Sequence, residues 1–327
     1  MNPGSTQELQ DSCQALGVPI DGSYTQLNPQ ISVLTGGNAA LEPETSTSLT
    51  WGVVYEPDWA RGLWVTDSLS ATLDVYDYTI EGNISAIDAQ AQLDGCVTPA
   101  DSTIDPNLCA GITRTVNGPI VSFDNLLKNL GSIDTSGYDL NLVWRLEETA
   151  LGSIKVTWNN SFVSEFVTTD VIGTTTLVTE LQGIERSDSA IPEWTSNLIV
   201  DWALSKWTGA WSIRMIDGVT ESCSDDFDNS PNSLAALGLC SDPDPNGDLD
   251  DSDSLNRLGT TVYHDVQVGY EVGALGGMDT TLKFGINNLF DRDPPICLSC
   301  SLNGYDASTY DMPGSQFVYL ALVGRFD

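Results

Sequence analysis

The stretch Asp242-Pro243-Asp244-Pro245-Asn246-Gly247-Asp248-Leu249-Asp250-Asp251-Ser252-Asp253 sets side-chain oxygens at nearly alternate positions around a glycine. Alternate oxygens with a sharp turn at Gly247 can wrap one Ca²⁺, so Asp242, Asp244, Asn246, Asp248, Asp250 and Asp253 form a candidate calcium set, with Asp instead of Glu at its last position. The competing reading is a solvated acidic loop tip pinned at its base by Cys223 and Cys240, because prolines interrupt the pattern and no helix flanks it. His264 is the only histidine, which removes His-based triads and multi-histidine metal sites. Acid pairs such as Asp225 and Asp226 have the residue type for glycoside hydrolysis. Among 46 acidic residues such a pair carries no weight, so no enzyme is expected, and no cofactor other than Ca²⁺ at residues 242–253.

Seven cysteines are spaced as three close pairs and one remainder: Cys96 with Cys109, Cys223 with Cys240, Cys297 with Cys300, and Cys13. All three pairs fall in loops rich in Pro, Asp, Asn and Ser, a pattern that suits disulfides in an oxidising compartment. The Cys297–Cys300 spacing lacks the βαβ context or second CxxC that a redox or zinc motif needs. An oxidising signature without a basic and apolar leader in MNPGSTQELQ gives the expectation that the beginning of the protein is missing. The formal charge of −34 would repel phosphates and excludes nucleic acid as a partner.

The elements that must position these residues alternate with period two. Tyr138, Leu140, Leu142, Trp144 and Leu146 share one phase, and Asp139, Asn141, Val143, Arg145 and Glu147 the other. Equivalent apolar phases run through Leu49–Tyr55, Leu69–Val75, Ile154–Phe162, Leu198–Leu204, Trp211–Met215, Val266–Val272, Leu282–Ile286 and Val318–Leu322, predicting nine strands. One helix is expected, at about Ile84–Leu93. Connections alternate in length: short ones near residues 57–66, 148–151, 205–208 and 273–279, long ones near 81–136, 168–190, 221–258 and 288–314. Short turns at one rim, long loops at the other, and apolar phases with Trp and Tyr near strand ends are the pattern of an antiparallel transmembrane β-barrel in an outer membrane. On that reading residues 1–47 are an extracellular loop region and 48–327 the barrel portion, with short turns periplasmic and long loops extracellular. The polar phase then lines a wet lumen: Asp139, Asn141, Arg145, Lys155, Asp201, Arg214, Asp265, Gln267 and Glu271. His264 shares the phase of Val266 and Val268 and is expected to play a structural part near the membrane interface.

Gly36-Gly37-Asn38 through Leu41-Glu42-Pro43-Glu44, Tyr55-Glu56-Pro57, Gly137-Tyr138-Asp139, Tyr263-His264-Asp265, Asn288-Leu289-Phe290-Asp291 and the aromatic end near Phe326 occur in an order that resembles the C-terminal half of TonB-dependent outer-membrane receptors. The resemblance implies an incomplete share of a 22-stranded barrel in the outer membrane of a Gram-negative bacterium. It also implies a plug domain, absent from these residues, through which TonB would act. The implied cargo is a scarce nutrient: a ferric siderophore, a cobalamin or an oligosaccharide held at the extracellular loops, with outer-membrane lipid against the barrel. The alternative is a secreted or surface calcium-binding β-domain acting in adhesion, which plain buffer would keep soluble.

Overall fold

The structure is a computed structural model and describes residues 7–21, 23–26, 31–87, 89–97, 102–116, 118–146, 148–172, 175–186, 188–223, 234, 236–242, 254–275, 278–300 and 303–325. Nine strands follow one another in a single up-and-down order: β1 Thr45–Tyr55, β2 Thr66–Glu81, β3 Gly131–Leu146, β4 Ser153–Ile172, β5 Trp194–Leu204, β6 Trp207–Ile216, β7 Thr261–Leu275, β8 Met278–Asn287 and β9 Phe317–Arg325. A tenth segment, Thr175–Glu180, pairs with β4. The order begins on β1 and ends on β9, so among the described residues the sheet does not close into a barrel. The nine strands and the alternation of short and long connections agree with the sequence pattern.

Antiparallel register turns the period-two pattern into rows across the sheet. Trp211, Val266, Ile286 and Val318 lie opposite one another on β6 to β9. Val268, Phe284 and Leu320 form the next row, and Trp207, Tyr270, Leu282 and Leu322 the one after it. Most of these side chains are exposed; Leu320 keeps 69% of its surface and Phe284 47%. A continuous apolar face of this extent is far larger than a water-exposed monomer tolerates, whereas hydrocarbon requires it.

Aromatic rings edge that face at both ends. Tyr138, Phe162 and Trp194 stack across β3, β4 and β5 with centroids 4.7 and 5.6 Å apart. At the short-turn end Trp207 packs on Tyr270 at 4.6 Å, and Trp202 donates its indole N–H to the Leu151 carbonyl at 2.7 Å. The 11 residues of β5 rise about 34 Å along the strand, or about 26 Å in height at the ~40° tilt of such sheets, which matches the ~25 Å apolar band of outer-membrane barrels. Asn160 interrupts the apolar phase of β4, yet it is buried and satisfied, accepting from the Trp194 indole at 3.2 Å and donating to the Leu140 carbonyl at 3.5 Å.

The chain divides into two compact units. The first comprises residues 1–48, 78–134 and 167–179. Its small core packs Ile87, Cys96, Leu108 and Leu130, with the Cys96–Cys109 disulfide alongside and a three-stranded sheet of Val33–Gly36, Ile120–Leu126 and Ile112–Arg114. Buried Gln92 donates to the Leu108 and Ala110 carbonyls, and Asn125 to the Ile87 carbonyl at 2.6 Å.

This unit corrects two sequence expectations. Residues 1–47 read as loop, but Gln7–Ala15 is helical and Val33–Gly36 is a strand parallel to Phe123–Leu126. The helix expected at about Ile84–Leu93 runs from Ala89 to Cys96, while Ile84–Ser85 pair with Lys128–Asn129 and the Ile84 amide donates to Glu44 at 2.7 Å. Partners at Glu44 and Asn129, both distant in sequence, decided Ile84, and no local periodicity encodes them. The second unit, residues 49–77, 135–166 and 180–327, carries most of the two-faced sheet and the loops that follow β6 and β8.

Phe284 lies mid-strand on the apolar face. Phe284→Arg is expected to cost about 2–4 kcal/mol of bilayer stability, read by urea unfolding in lipid vesicles. Gln267→Asn on the opposite face should change it by much less.

Candidate functional site

The polar phase gathers into a ladder on the face opposite the apolar rows. Asn141 on β3 donates to Asn159 on β4, Asn159 lies opposite Asn197 on β5, and Asn197 accepts from Ser212 on β6 at 3.1 Å. Further along, Lys155, Asp201, Ala210, Gln267, Gly285 and Tyr319 form one cross-strand row from β4 to β9. A β-carbon at Gly285 would run into the Tyr319 ring, which lies across the glycine and brings its phenol within 2.8 Å of the Gln267 amide.

Two open cavities occupy this face. The first, about 520 Å³, lies toward the short turns and is lined by Arg145, Lys155, Asp201 and Gln267 together with Asp67 and Lys283. The second, about 460 Å³, lies toward the long loops and takes Asp139, Asn141 and Arg214 with Asn159 and Asn197. Seven of the expected polar-face residues are thereby placed around two hollows. Asp265 sits beside the second through Arg214. Glu271 is exposed at a bulge near the short-turn end, its amide bonded to the Lys206 carbonyl, and lines neither cavity. Lys283, Asn197 and Asp67 were not singled out from the sequence, although alternation carried the signal for the first two.

Arg214 ties this face to the last long loop. Its Nη2 is 2.6 Å from Asp311 and its Nε 3.7 Å from Asp265, and the guanidinium stands 5.0 Å over the Tyr263 ring. Asp265 in turn accepts the Asn288 amide at 2.8 Å. Asn288, almost wholly buried with φ of 47°, donates to the Arg292 carbonyl and the Ser315 hydroxyl and accepts from the Arg292 amide. The Asn288-Leu289-Phe290-Asp291 motif is therefore a turn that fastens both ends of the 288–316 loop to β7. His264 has the structural part expected of it: its Nδ1 accepts the Trp211 indole N–H at 3.2 Å, and Phe290 meets its ring edge-on at 4.9 Å.

Three disulfides, Cys96–Cys109, Cys223–Cys240 and Cys297–Cys300, join the pairs expected from spacing, and Cys13 is free. The Cys297–Cys300 turn closes over the buried Glu221 carboxylate, which accepts from the Leu298 and Ser299 amides at 2.8 and 2.7 Å and from Asn256 at 2.6 Å. Glu185 is equally buried; its Oε1 accepts the Ser189 amide at 3.1 Å, and its Oε2 has no partner among the described residues. Burial first, and the nearby Asp306 charge second, push its carboxyl up to about 7. Burial also raises the Tyr310 phenol to about 12, with Glu185 and Asp306 adding to it. Burial acts on Asp306 in the same sense, but donors from Thr309, Ser308 and the Ala190 amide outweigh it and hold that carboxyl below its ordinary value. One carboxyl of the neighbouring pair keeps a proton and the other is stabilised as the anion.

Of the candidate calcium set, Asp244, Asn246, Asp248, Asp250 and Asp253 lie outside the described residues. Asp242 is already engaged by the Arg257 guanidinium at 2.7 and 3.1 Å.

The family profile described as "TonB dependent receptor-like, beta-barrel" matches residues 7–289. The chain belongs to this family. Solved structures similar to this family member include the siderophore receptor PirA from Acinetobacter baumannii (17% identity, TM-score 0.49, 88% of this chain and 32% of that one). A ferric enterobactin receptor mutant, PfeA from Pseudomonas aeruginosa, is 15% identical with a TM-score of 0.48 over 88% of this chain and 32% of that one. The pyoverdine receptor FpvA from Pseudomonas aeruginosa, bound to pyoverdine, gives 13% and 0.46 over 89% and 31%. The chain thus spans about a third of the length of these receptors. No curated protein matches it.

Glu185 gives the loops of this receptor-family chain a definite pH response. Its folded value lies above the ordinary 4.5, so the closed loops bind more protons than the open chain between about 4.5 and about 7. Its contribution is complete below that window and is lost as pH rises through about 7. Hydrogen-exchange protection of the Ser189, Ala190 and Tyr310 amides, corrected for intrinsic rates, should fall across the window, and Glu185→Gln should remove that dependence.

Proposed function

We propose that the chain forms part of the wall and long loops of an outer-membrane receptor that imports a scarce nutrient. A ferric siderophore, a cobalamin or an oligosaccharide would be taken up at extracellular loops. Energy would come from TonB, acting through a plug domain that lies outside these residues. The observation that carries the reading is the two-faced sheet: an apolar face edged with aromatic rings at membrane spacing, backed by a polar ladder with two wet cavities.

The polar face suits passage of a hydrophilic solute. Amides and hydroxyls along Asn141, Asn159, Asn197 and Ser212 exchange hydrogen bonds with water and solute at little cost. Arg145, Lys155 and Lys283 concentrate three of the chain's 12 basic residues around one cavity, where they are not part of the ion pairs found among the described residues. They offset a strongly acidic chain at that point and would attract anionic groups. The loops are braced by disulfides and by the Arg214–Asp311 and Asn288 attachments, which lowers the ordering cost when a ligand is bound.

Deletion of the gene should abolish growth on one of three limited nutrients, iron supplied as a siderophore complex, cobalamin, or an oligosaccharide, with the protein recovered in the outer-membrane fraction. Recovery in the soluble fraction with uptake of all three intact would refute the reading.

A further inference from the structure

The connection between β1 and β2 folds back along the apolar face. It makes two 3₁₀ turns, Asp58–Ala60 and Leu63–Val65, separated by Gly62 with φ of 77°. Ala60 and Thr66 are buried at the ends of this segment, whereas Trp59 and Leu63 remain largely exposed. Between the turns and strands β3 to β5 lies an open crevice of about 390 Å³, lined chiefly by Trp59, Leu63, Leu142, Trp144, Val156 and Trp158. Its strand residues belong to the apolar phase, Trp158 lying opposite Leu198 and Val156 opposite Val200.

The polar atoms of the three rings are already spent. The Trp144 indole donates to Thr66 at 3.0 Å, Trp158 to Ser196 at 2.8 Å, and Trp59 to Tyr55 at 2.9 Å. What faces the crevice is carbon, and water there would find too few partners to be held. The crevice also runs on from the exposed rows of the apolar face, so its occupant is the same hydrocarbon that covers those rows. The adjoining short-turn end, with Trp202, Trp207 and Tyr270, is where a lipid headgroup would meet water.

We propose that this crevice holds one acyl chain of a membrane phospholipid, seated under the Asp58–Val65 segment on the short-turn side. The inference rests on the membrane reading and adds a defined lipid site to it. The segment then acts as an interfacial clip: its apolar side closes on the chain while the headgroup stays at the rim. Rows without such a cover, such as Val268, Phe284 and Leu320, meet only freely exchanging lipid.

The test is photocrosslinking in native outer membranes with a phospholipid carrying a diazirine on its acyl chain, adducts being mapped by mass spectrometry. Adducts are expected on Leu63, Leu142 and Trp158 in excess of those on Val268 and Leu320. Leu69→Trp, which fills the crevice, should abolish the crevice adducts and leave the Val268 and Leu320 adducts unchanged; Val156→Phe provides an independent filling variant. Crevice labelling no greater than that of the open rows, or labelling that survives both filling substitutions, would overturn the lipid site. Absence of adducts on all rows would instead defeat the membrane reading on which it rests.

Discussion

Every peptide group that crosses hydrocarbon must find its hydrogen-bond partner within the protein, because the solvent there offers none. An up-and-down antiparallel order meets that condition for consecutive strands with the shortest possible connections. Once it is met, the two faces of the sheet are free to carry opposite chemistries, and all else in this chain follows from that freedom. One face can be given wholly to Trp, Val, Leu and Phe. The other can be given to amides, hydroxyls and charges without exposing any of them to lipid.

The same constraint pushes specialised structure into the connections. Buried carboxylates in the long loops are handled in two ways, and the difference lies in donors. Glu221 accepts from two backbone amides and from Asn256. Glu185 has a carboxylate oxygen without a partner among the described residues, and burial, with Asp306 beside it, pushes its carboxyl up to about 7. The scarce cations are used sparingly: Arg214 and Arg257 pin loops through Asp311 and Asp242, and Arg145, Lys155 and Lys283 are kept for the polar face.

The nine strands and the polar face were legible because period-two alternation is a local property, written within each segment such as Tyr138–Leu146. Lys283 and Asn197 were overlooked on that face even though their phase announced them. Loop structure was legible only where covalent or turn chemistry marks it, as with the cysteine pairs and the Asn288 turn. The pairing of Ile84 with Asn129, which takes Ile84 out of the expected helix, and that of Val33 with Phe123 involve distant partners, which no window of neighbouring residues contains.

By itself the sequence determined the class of fold, the direction each strand residue faces and which cysteines lie close enough along the chain to be disulfide candidates, since alternation and spacing depend only on neighbours along the chain. The tertiary structure alone decided that Arg214 meets Asp311, that Glu185 is buried beside Asp306, and that the Asp58–Val65 turn covers a dry crevice. Those outcomes require residues tens of positions apart to be brought together, and the hydrogen bonds and burial that define them exist only after the sheet has aligned its strands.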